Sequence, residues 1–205
     1  MIDGVHVWRA ALDGSGWPAA SGLPAAERER AATFLRERDS RRWVASRWAL
    51  RRVLSRYLEL PPAEIELELG PHGKPRLRDH GRLEFNLSHS EGIALVAVAD
   101  RPVGVDVEAI RPGRDTPALA ERALPAVDAE AVRAAGPEER ELVFYRAWAR
   151  HEARLKCLGA ALDAPASEAQ VTVVQLDLAP GYAAAVAAAG REPFSPDCRS
   201  LEPGY

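Results

Sequence analysis

Val103-Gly104-Val105-Asp106-Val107-Glu108 puts three valines on one side of an extended chain and two carboxylates on the other, because successive side chains of a strand alternate faces. Two residues along a strand span about 6.6 Å, so the side chains of Asp106 and Glu108 can converge on one cation. Like charges on one face repel unless something positive lies between them. A hard, oxygen-seeking ion such as Mg²⁺ meets that need with a few carboxylates, waters and substrate phosphates. A polar strand face that simply meets water, as at Glu64, Glu66 and Glu68, reads equally well from these residues alone.

Upstream of this strand, Val5–Trp8 reads as a short strand and Ala25–Leu60 as one long helix, ended by Pro61-Pro62. Ile65–Leu69 alternates strictly, and Gly70-Pro71-His72-Gly73 is a turn. Leu83–Leu87 and Ile93–Ala99 add two strands. Downstream, Pro112-Gly113 breaks the chain and short helices fill Thr116–Ala135. A long helix begins at Gly136-Pro137 and runs to Leu158, with Gly159 as its stop. Val171–Leu178 and Tyr182–Ala189 read as strands, and the Pro-rich tail from Arg191 as irregular. The chain is therefore expected to be α+β, with an N-terminal half, residues 1–103, and a C-terminal half, residues 104–205. Each half offers one long helix and several strands.

Four further constellations bear on chemistry. Glu152 and Lys156 stand four apart on the second long helix, on one face, as a surface ion pair or part of a site. His151 points about 100° away from Glu152. In Phe85-Asn86-Leu87-Ser88-His89-Ser90 the two apolar residues share a face, and Ser88-His89-Ser90 reads as a strand end turning into a loop. Such a loop can hold phosphate oxygens or serve only as a turn. A Ser88–His89 nucleophile lacks the Gly-x-Ser-x-Gly elbow. Gly73-Lys74-Pro75 is a turn that presents a cation, without the glycine spacing of an ATPase loop. Nine arginines between Arg28 and Arg52, Arg30 and Arg42 among them, are only partly offset by acids. Guanidinium groups suit a phosphate monoester, which they grip in bidentate fashion.

Bulk properties exclude some classes. The 205 residues carry a net charge of −3, which argues against a protein held to nucleic acid by bulk charge. No apolar run reaches the roughly 18 residues of a membrane helix. Met1–Ala10 has no export-signal pattern, and Cys157 and Cys198 are too few for a disulfide framework. The expected compartment is the cytoplasm. Of 27 basic residues only Lys74 and Lys156 are lysines, and both fall inside these motifs.

The order GKP, FNLSHS, GVDVE and W-x-x-x-E-x-x-x-K, from about Glu27 to Leu158, resembles the Sfp-type 4′-phosphopantetheinyl transferases. The resemblance implies a pseudo-dimer of two α+β subdomains, each a small sheet on a long helix, with coenzyme A in the cleft between them. It implies a monomer acting on acyl- or peptidyl-carrier proteins, as in secondary-metabolite assembly. Asp106, Glu108 and Glu152 would be Mg²⁺ ligands, and Glu152, or Lys156 through it, would help deprotonate the carrier's serine. Ser88 and His89 would hold phosphates of coenzyme A. Gly73, Lys74 and Pro75 would line the adenine side, and Arg30 and Arg42 would meet the 3′-phosphate. Two rival functions stand beside this one: a coenzyme A-binding regulator without catalysis, and a Mg²⁺-dependent phosphohydrolase. Against the family pattern, His151 replaces a lysine, Ala123-Leu124 replaces an aromatic pair, and the stretch from Ala160 to Tyr182 is short. A trimmed second sheet is expected.

Overall fold

The computed structural model describes residues 2–70, 73–78, 83–160 and 169–204. Pro71 and His72 of the expected turn, and most of the shortened connection after Ala160, lie outside the described residues.

Strand β1 (His6–Ala11) is followed by helices α1 (Ala25–Ala32) and α2 (Glu37–Leu58). The single helix expected over Ala25–Leu60 is therefore two. Thr33 closes α1 by bonding the Arg30 carbonyl through both its amide and its hydroxyl, at 3.1 and 2.8 Å. Arg36 is extended, and Ser40 of α2 donates to the Ala31 carbonyl at 2.8 Å. Local side-chain bonds of this kind compete with helix continuation. α2 ends at Glu59 in the left-handed conformation, just before Pro61-Pro62.

A small hairpin, β2 (Leu67–Leu69) and β3 (Pro75–Leu77), precedes β4 (Glu84–Ser90), β5 (Ile93–Ala99) and β6 (Val103–Ala109). Then come α3 (Thr116–Ala123), α4 (Ala126–Ala134) and α5 (Arg140–Leu158), whose Gly159 cap is left-handed. Three strands finish the chain: β7 (Val171–Leu176), β8 (Tyr182–Ala189) and β9 (Asp197–Leu201). The tail read as irregular is corrected here. After Pro196 it pairs in parallel with β1, from His6 opposite Asp197 to Ala10 opposite Leu201.

The strands form a four-stranded sheet, β4-β5-β1-β9, and a three-stranded sheet, β6-β8-β7. Alternation in β5 explains how they stack. Ala94, Val96 and Val98 face α2 and share a core with Trp8, Leu50, Val53 and Leu54. Ile93, Leu95 and Ala97 face the other way, onto Val103, Val105, Val107 and Val186 of the second sheet. The second sheet's far side, through Ala185 and Ala187, packs on Ala149, Ala153 and Cys157 of α5. The order is helix, sheet, sheet, helix, so both sheets are covered on both faces. That matches the α+β architecture of two helix-backed sheets.

Part of the arginine stretch is structural. Glu27 of α1 accepts from Arg47 at 2.6 Å and from Arg51 at 2.9 Å, and Arg51 also donates to the Pro62 and Ile65 carbonyls. Burial alone would raise the Glu27 carboxyl, but the hydrogen bonds and charges of Arg51 and Arg47 outweigh it and hold it below the usual glutamate range. A lowered carboxyl stabilises the fold above its unfolded value and loses that contribution as pH falls through the folded one. Glu27→Gln is therefore expected to lower the thermal midpoint at neutral pH, with the gap from wild type narrowing as pH falls below the usual glutamate value of 4.5. Midpoints measured by circular dichroism from pH 3 to 7 check this, and a constant gap would refute it.

Candidate functional site

The two stacked sheets come closest at their edge strands β4 and β6, and this seam assembles the site. An edge strand leaves every second N–H unpaired. Here the side chains of β4 take them: the Val105 amide donates to Asn86 Oδ1 at 2.9 Å, Val107 to Ser88 Oγ at 3.3 Å and Ala109 to Ser90 Oγ at 3.1 Å. The same hydroxyls reach the carboxylates of β6. Ser88 donates to Asp106 Oδ1 at 2.9 Å and Ser90 to Glu108 Oε2 at 3.2 Å. The loop expected at Ser88-His89-Ser90 is thus the end of β4 itself. Its alternation sends Ser88 into the seam and His89 to the opposite face, so the two do not form a nucleophilic pair.

Asp106 and Glu108 project from the face of β6 that meets α5, where Glu152 and Lys156 lie on adjacent turns. Gly104 permits this approach. A Cβ there would collide with the Ala153 carbonyl and the Cys157 amide nitrogen. Lys156 Nζ bonds Asp106 Oδ1 at 2.6 Å and Ser88 Oγ at 3.2 Å, so its ion-pair partner is Asp106 of β6. Burial, and then the negative charge of Asp106, push the Glu108 carboxyl above its ordinary range. Burial also raises Glu152, with Asp106 adding to it and Lys156 opposing. These are groups that a nearby cation would relieve.

Among the described residues no three His, Cys, Asp or Glu side chains form a ready-made metal cluster. The donor set nonetheless fits a hard cation, because every candidate ligand is a carboxylate oxygen. Asp106 Oδ2 is buried and has no hydrogen-bond partner, and an orphaned carboxylate oxygen of that kind is costly unless something binds it.

Three cavities open along the seam. One, of about 230 Å³, has Glu108, Arg111, Phe144, Tyr145 and Trp148 in its wall. A second, of about 360 Å³, lies against Lys74, Pro75, Phe85, Leu158 and Gly159. A third, of about 400 Å³, is lined by Arg36, Arg38, Arg42, His89, Glu91 and Arg111. Lys74 does more than present a charge to its cavity: its ammonium bonds the Val103 carbonyl at 3.0 Å and the Lys156 carbonyl at 2.9 Å, tying β3, β6 and α5 together. Gly73 has a positive φ of 77°, which glycine adopts at no steric cost, and its amide bonds the Gly70 carbonyl at 3.1 Å.

Of the two arginines singled out by sequence, Arg42 lies in the third cavity. Its Nε and Nη2 grip Asp13 at 2.7 and 2.6 Å. Arg30 is exposed on α1, stacked over Phe34 with 5.4 Å to the ring centroid. Phe34 helps line that cavity and Arg30 does not. His89 reaches solvent there, and partial burial, with Lys156 and Arg47 nearby, favours its neutral ring. His151 lies to the side, its ring lowered by burial and its Nε2 buried without a hydrogen-bond partner. Sequence reasoning missed Arg111 and Glu91, and it did not foresee the bonds to β6 made by Asn86 and Ser90. The Asn86, Ser88, Ser90 alternation was the available signal for the last two, since three small polar side chains on one strand face suit a neighbouring backbone.

Fold and seam define an α+β protein of two helix-backed sheets with a carboxylate and lysine centre where they meet. Residues 8–101 match the family described as "4′-phosphopantetheinyl transferase, N-terminal", and residues 102–193 match the "4′-phosphopantetheinyl transferase superfamily". The chain is 36% identical over 166 residues to the 4′-phosphopantetheinyl transferase HetI of Nostoc sp., covering 78% of this chain and 70% of that protein. It is 27% identical over 164 residues to a 4′-phosphopantetheinyl transferase of Bacillus subtilis, covering 80% and 72%. Against AcpT of Salmonella typhimurium it is 37% identical over 118 residues, covering 57% and 58%. The chain belongs to the 4′-phosphopantetheinyl transferase family.

Proposed function

We propose that this enzyme moves the 4′-phosphopantetheine arm of coenzyme A to a serine of an acyl- or peptidyl-carrier protein in a Mg²⁺-dependent reaction. The observation that carries the metal-dependent reading is the seam, where Asp106 and Glu108 of one strand meet Glu152 and Lys156 of one helix. Residues 1–103 and 104–205 act as the two lobes of the cleft, with β9 crossing back to the first. The serine hydroxyl attacks the β-phosphorus, the bond from that phosphorus to the oxygen bridging the α-phosphate breaks, and 3′,5′-ADP leaves with the electron pair.

Asp106, Glu108 and Glu152 would hold Mg²⁺, and Asp106 Oδ2 is a buried oxygen without a hydrogen-bond partner. Bound there, the ion would supply positive charge against the pyrophosphate as it transfers. Lys156 is engaged as a cation with Asp106, so of the two helix residues Glu152 is the one with a lone pair to accept the serine proton. The ammonium of Lys156 then stabilises charge on the reacting phosphate. Gly73, Lys74 and Pro75 receive the adenine side at the second cavity. Arg42 and His89 meet the 3′-phosphate at the third, joined by Arg36, Arg38 and Arg111. Ser88 acts from within the seam, where it holds Asp106 and Lys156.

The test is to incubate the chain with coenzyme A, Mg²⁺ and several apo-carrier proteins, and to weigh the carriers. A gain of about 340 Da, the arm added as a phosphodiester, is expected. No gain on any carrier would overturn the proposal. Loss of metal dependence would overturn the Mg²⁺ part alone. Lys156→Ala is expected to lower kcat about 100-fold, the scale of one lost charge-stabilising donor, with coenzyme A affinity within about threefold of wild type. Turnover and calorimetric titration measure the two separately, and the reverse pattern would contradict this role.

A further inference from the structure

Glu91 stands at the tip of the β4–β5 turn and takes no part in the chemistry above. Its φ is 49°, a left-handed conformation that non-glycine residues seldom adopt. Three arginines from both lobes converge on its carboxylate. Arg42 Nη1 bonds Oε2 at 2.5 Å, Arg111 Nη2 bonds Oε1 at 2.8 Å, and Arg38 Nη2 lies 4.0 Å from Oε2. Arg38 and Arg42 belong to α2, whereas Arg111 follows β6, so Glu91 spans the mouth of the cleft.

The geometry around Arg42 decides what this means. Asp13 occupies Nε and Nη2 of the guanidinium, which leaves Nη1 for a second anion. Glu91 is that anion. The Arg42 side chain is 14% exposed and that of Glu91 is 34%, so the pair is partly shielded from solvent. Hydrogen bonding to Arg42 is the main reason that the Glu91 carboxyl lies below its ordinary range. Four arginines line the cavity against two acids, Asp39 and Glu91. The surplus is positive, and its best-oriented donors are already occupied.

We propose that Glu91 is a built-in placeholder for the anionic group of this cleft, its carboxylate sitting on the arginine donors that a dianionic phosphate monoester takes when it binds. The exchange favours such a ligand for a simple reason. A phosphate monoester brings nearly two charges and three acceptor oxygens, whereas a carboxylate brings one charge and two oxygens. A singly charged group gains nothing by displacing Glu91. The cleft is thereby kept arranged and closed to weak anions, and the same competition weakens its hold on a nucleotide product that carries the phosphate away. This inference rests on the coenzyme A reading above and adds to it a residue that sets the affinity of the monoester subsite.

Calorimetric titration of the whole chain tests it without reference to turnover. The probes are coenzyme A, 3′,5′-ADP and 3′-dephospho-coenzyme A, which lacks the monoester. Glu91→Gln keeps the shape and removes the charge. It is expected to bind coenzyme A and 3′,5′-ADP about fivefold tighter, with dephospho-coenzyme A changed by less than twofold. Glu91→Asn, which suits a left-handed backbone, is expected to repeat the pattern and guards against a folding defect in one variant. Unchanged or weaker binding of coenzyme A by both variants, or equal tightening of all three ligands, would overturn the placeholder while leaving the transferase reading intact. A wild-type chain that binds neither coenzyme A nor 3′,5′-ADP would overturn both.

Discussion

Glu108→Gln is expected to lower kcat/KM for carrier modification about 1,000-fold while the folded state keeps its thermal midpoint. The loss follows from the part proposed for this carboxylate. A metal bound against the pyrophosphate supplies several kcal/mol of charge stabilisation, and each 1.36 kcal/mol is a factor of ten in rate. Glutamine preserves volume and the contact with Ser90, so no packing is lost. Stability moves the other way, if at all. The Glu108 carboxyl is raised in the fold by burial and by Asp106. A raised carboxyl contributes stability below its unfolded value and loses it as pH rises through the folded one. Glutamine is fixed in the uncharged form, so the variant avoids that loss at neutral pH. A variant that is as stable as wild type yet nearly inactive marks a residue kept for chemistry at some cost to the fold. Mn²⁺ titration followed by electron paramagnetic resonance gives a readout independent of turnover, and affinity should fall at least tenfold. Activity within tenfold of wild type would refute the ligand role.

The valine and carboxylate alternation of β6 was legible because a strand with two different faces writes its burial into every second residue. The Glu152–Lys156 pair was legible as helix geometry, but not its outcome. Lys156 turns to Asp106, a choice made by how closely α5 lies on β6. The break between α1 and α2 was hidden because Phe34 and Trp43 continue the apolar spacing across it, while the chain is stopped by the hydroxyls of Thr33 and Ser40. β9 was hidden for a different reason. Asp197–Leu201 carries little apolar pattern of its own, and it is a strand because β1 offers it an open edge. Among the arginines, composition could count positive charges but could not tell Arg47 and Arg51, turned in to Glu27, from Arg38 and Arg42 at the cleft. Those assignments depend on contacts between residues 20 or more positions apart, which periodicity does not record.

Gly104→Ala tests the contact on which both fold and site depend. The residue lies on the α5 side of β6, two positions before Asp106, where a methyl group would meet backbone atoms of Ala153 and Cys157 and not the movable end of a side chain. Backbone of a helix interior cannot turn aside, so β6 or α5 must shift as a unit. Overpacking of this sort costs about 1–3 kcal/mol where side chains can adjust, and here the expected cost is about 4 kcal/mol, near half the total stability of an ordinary domain. Lys74 would resist the shift, since its ammonium holds carbonyls on both elements, and that resistance adds strain. Denaturant unfolding followed by tryptophan fluorescence measures the cost, and a loss under 1 kcal/mol would show that the two elements are not held at this distance. In any folded fraction, widening the gap withdraws Glu152 and Lys156 from Asp106 and Glu108. Activity per folded molecule should then fall at least tenfold, which separates loss of the site from loss of the fold. Gly104→Ser would bring the same Cβ and should fail in the same way. Gly113→Ala, at a glycine whose Cβ would meet nothing within 4 Å but whose φ is 82°, should show only the smaller penalty of a left-handed backbone, about 1 kcal/mol.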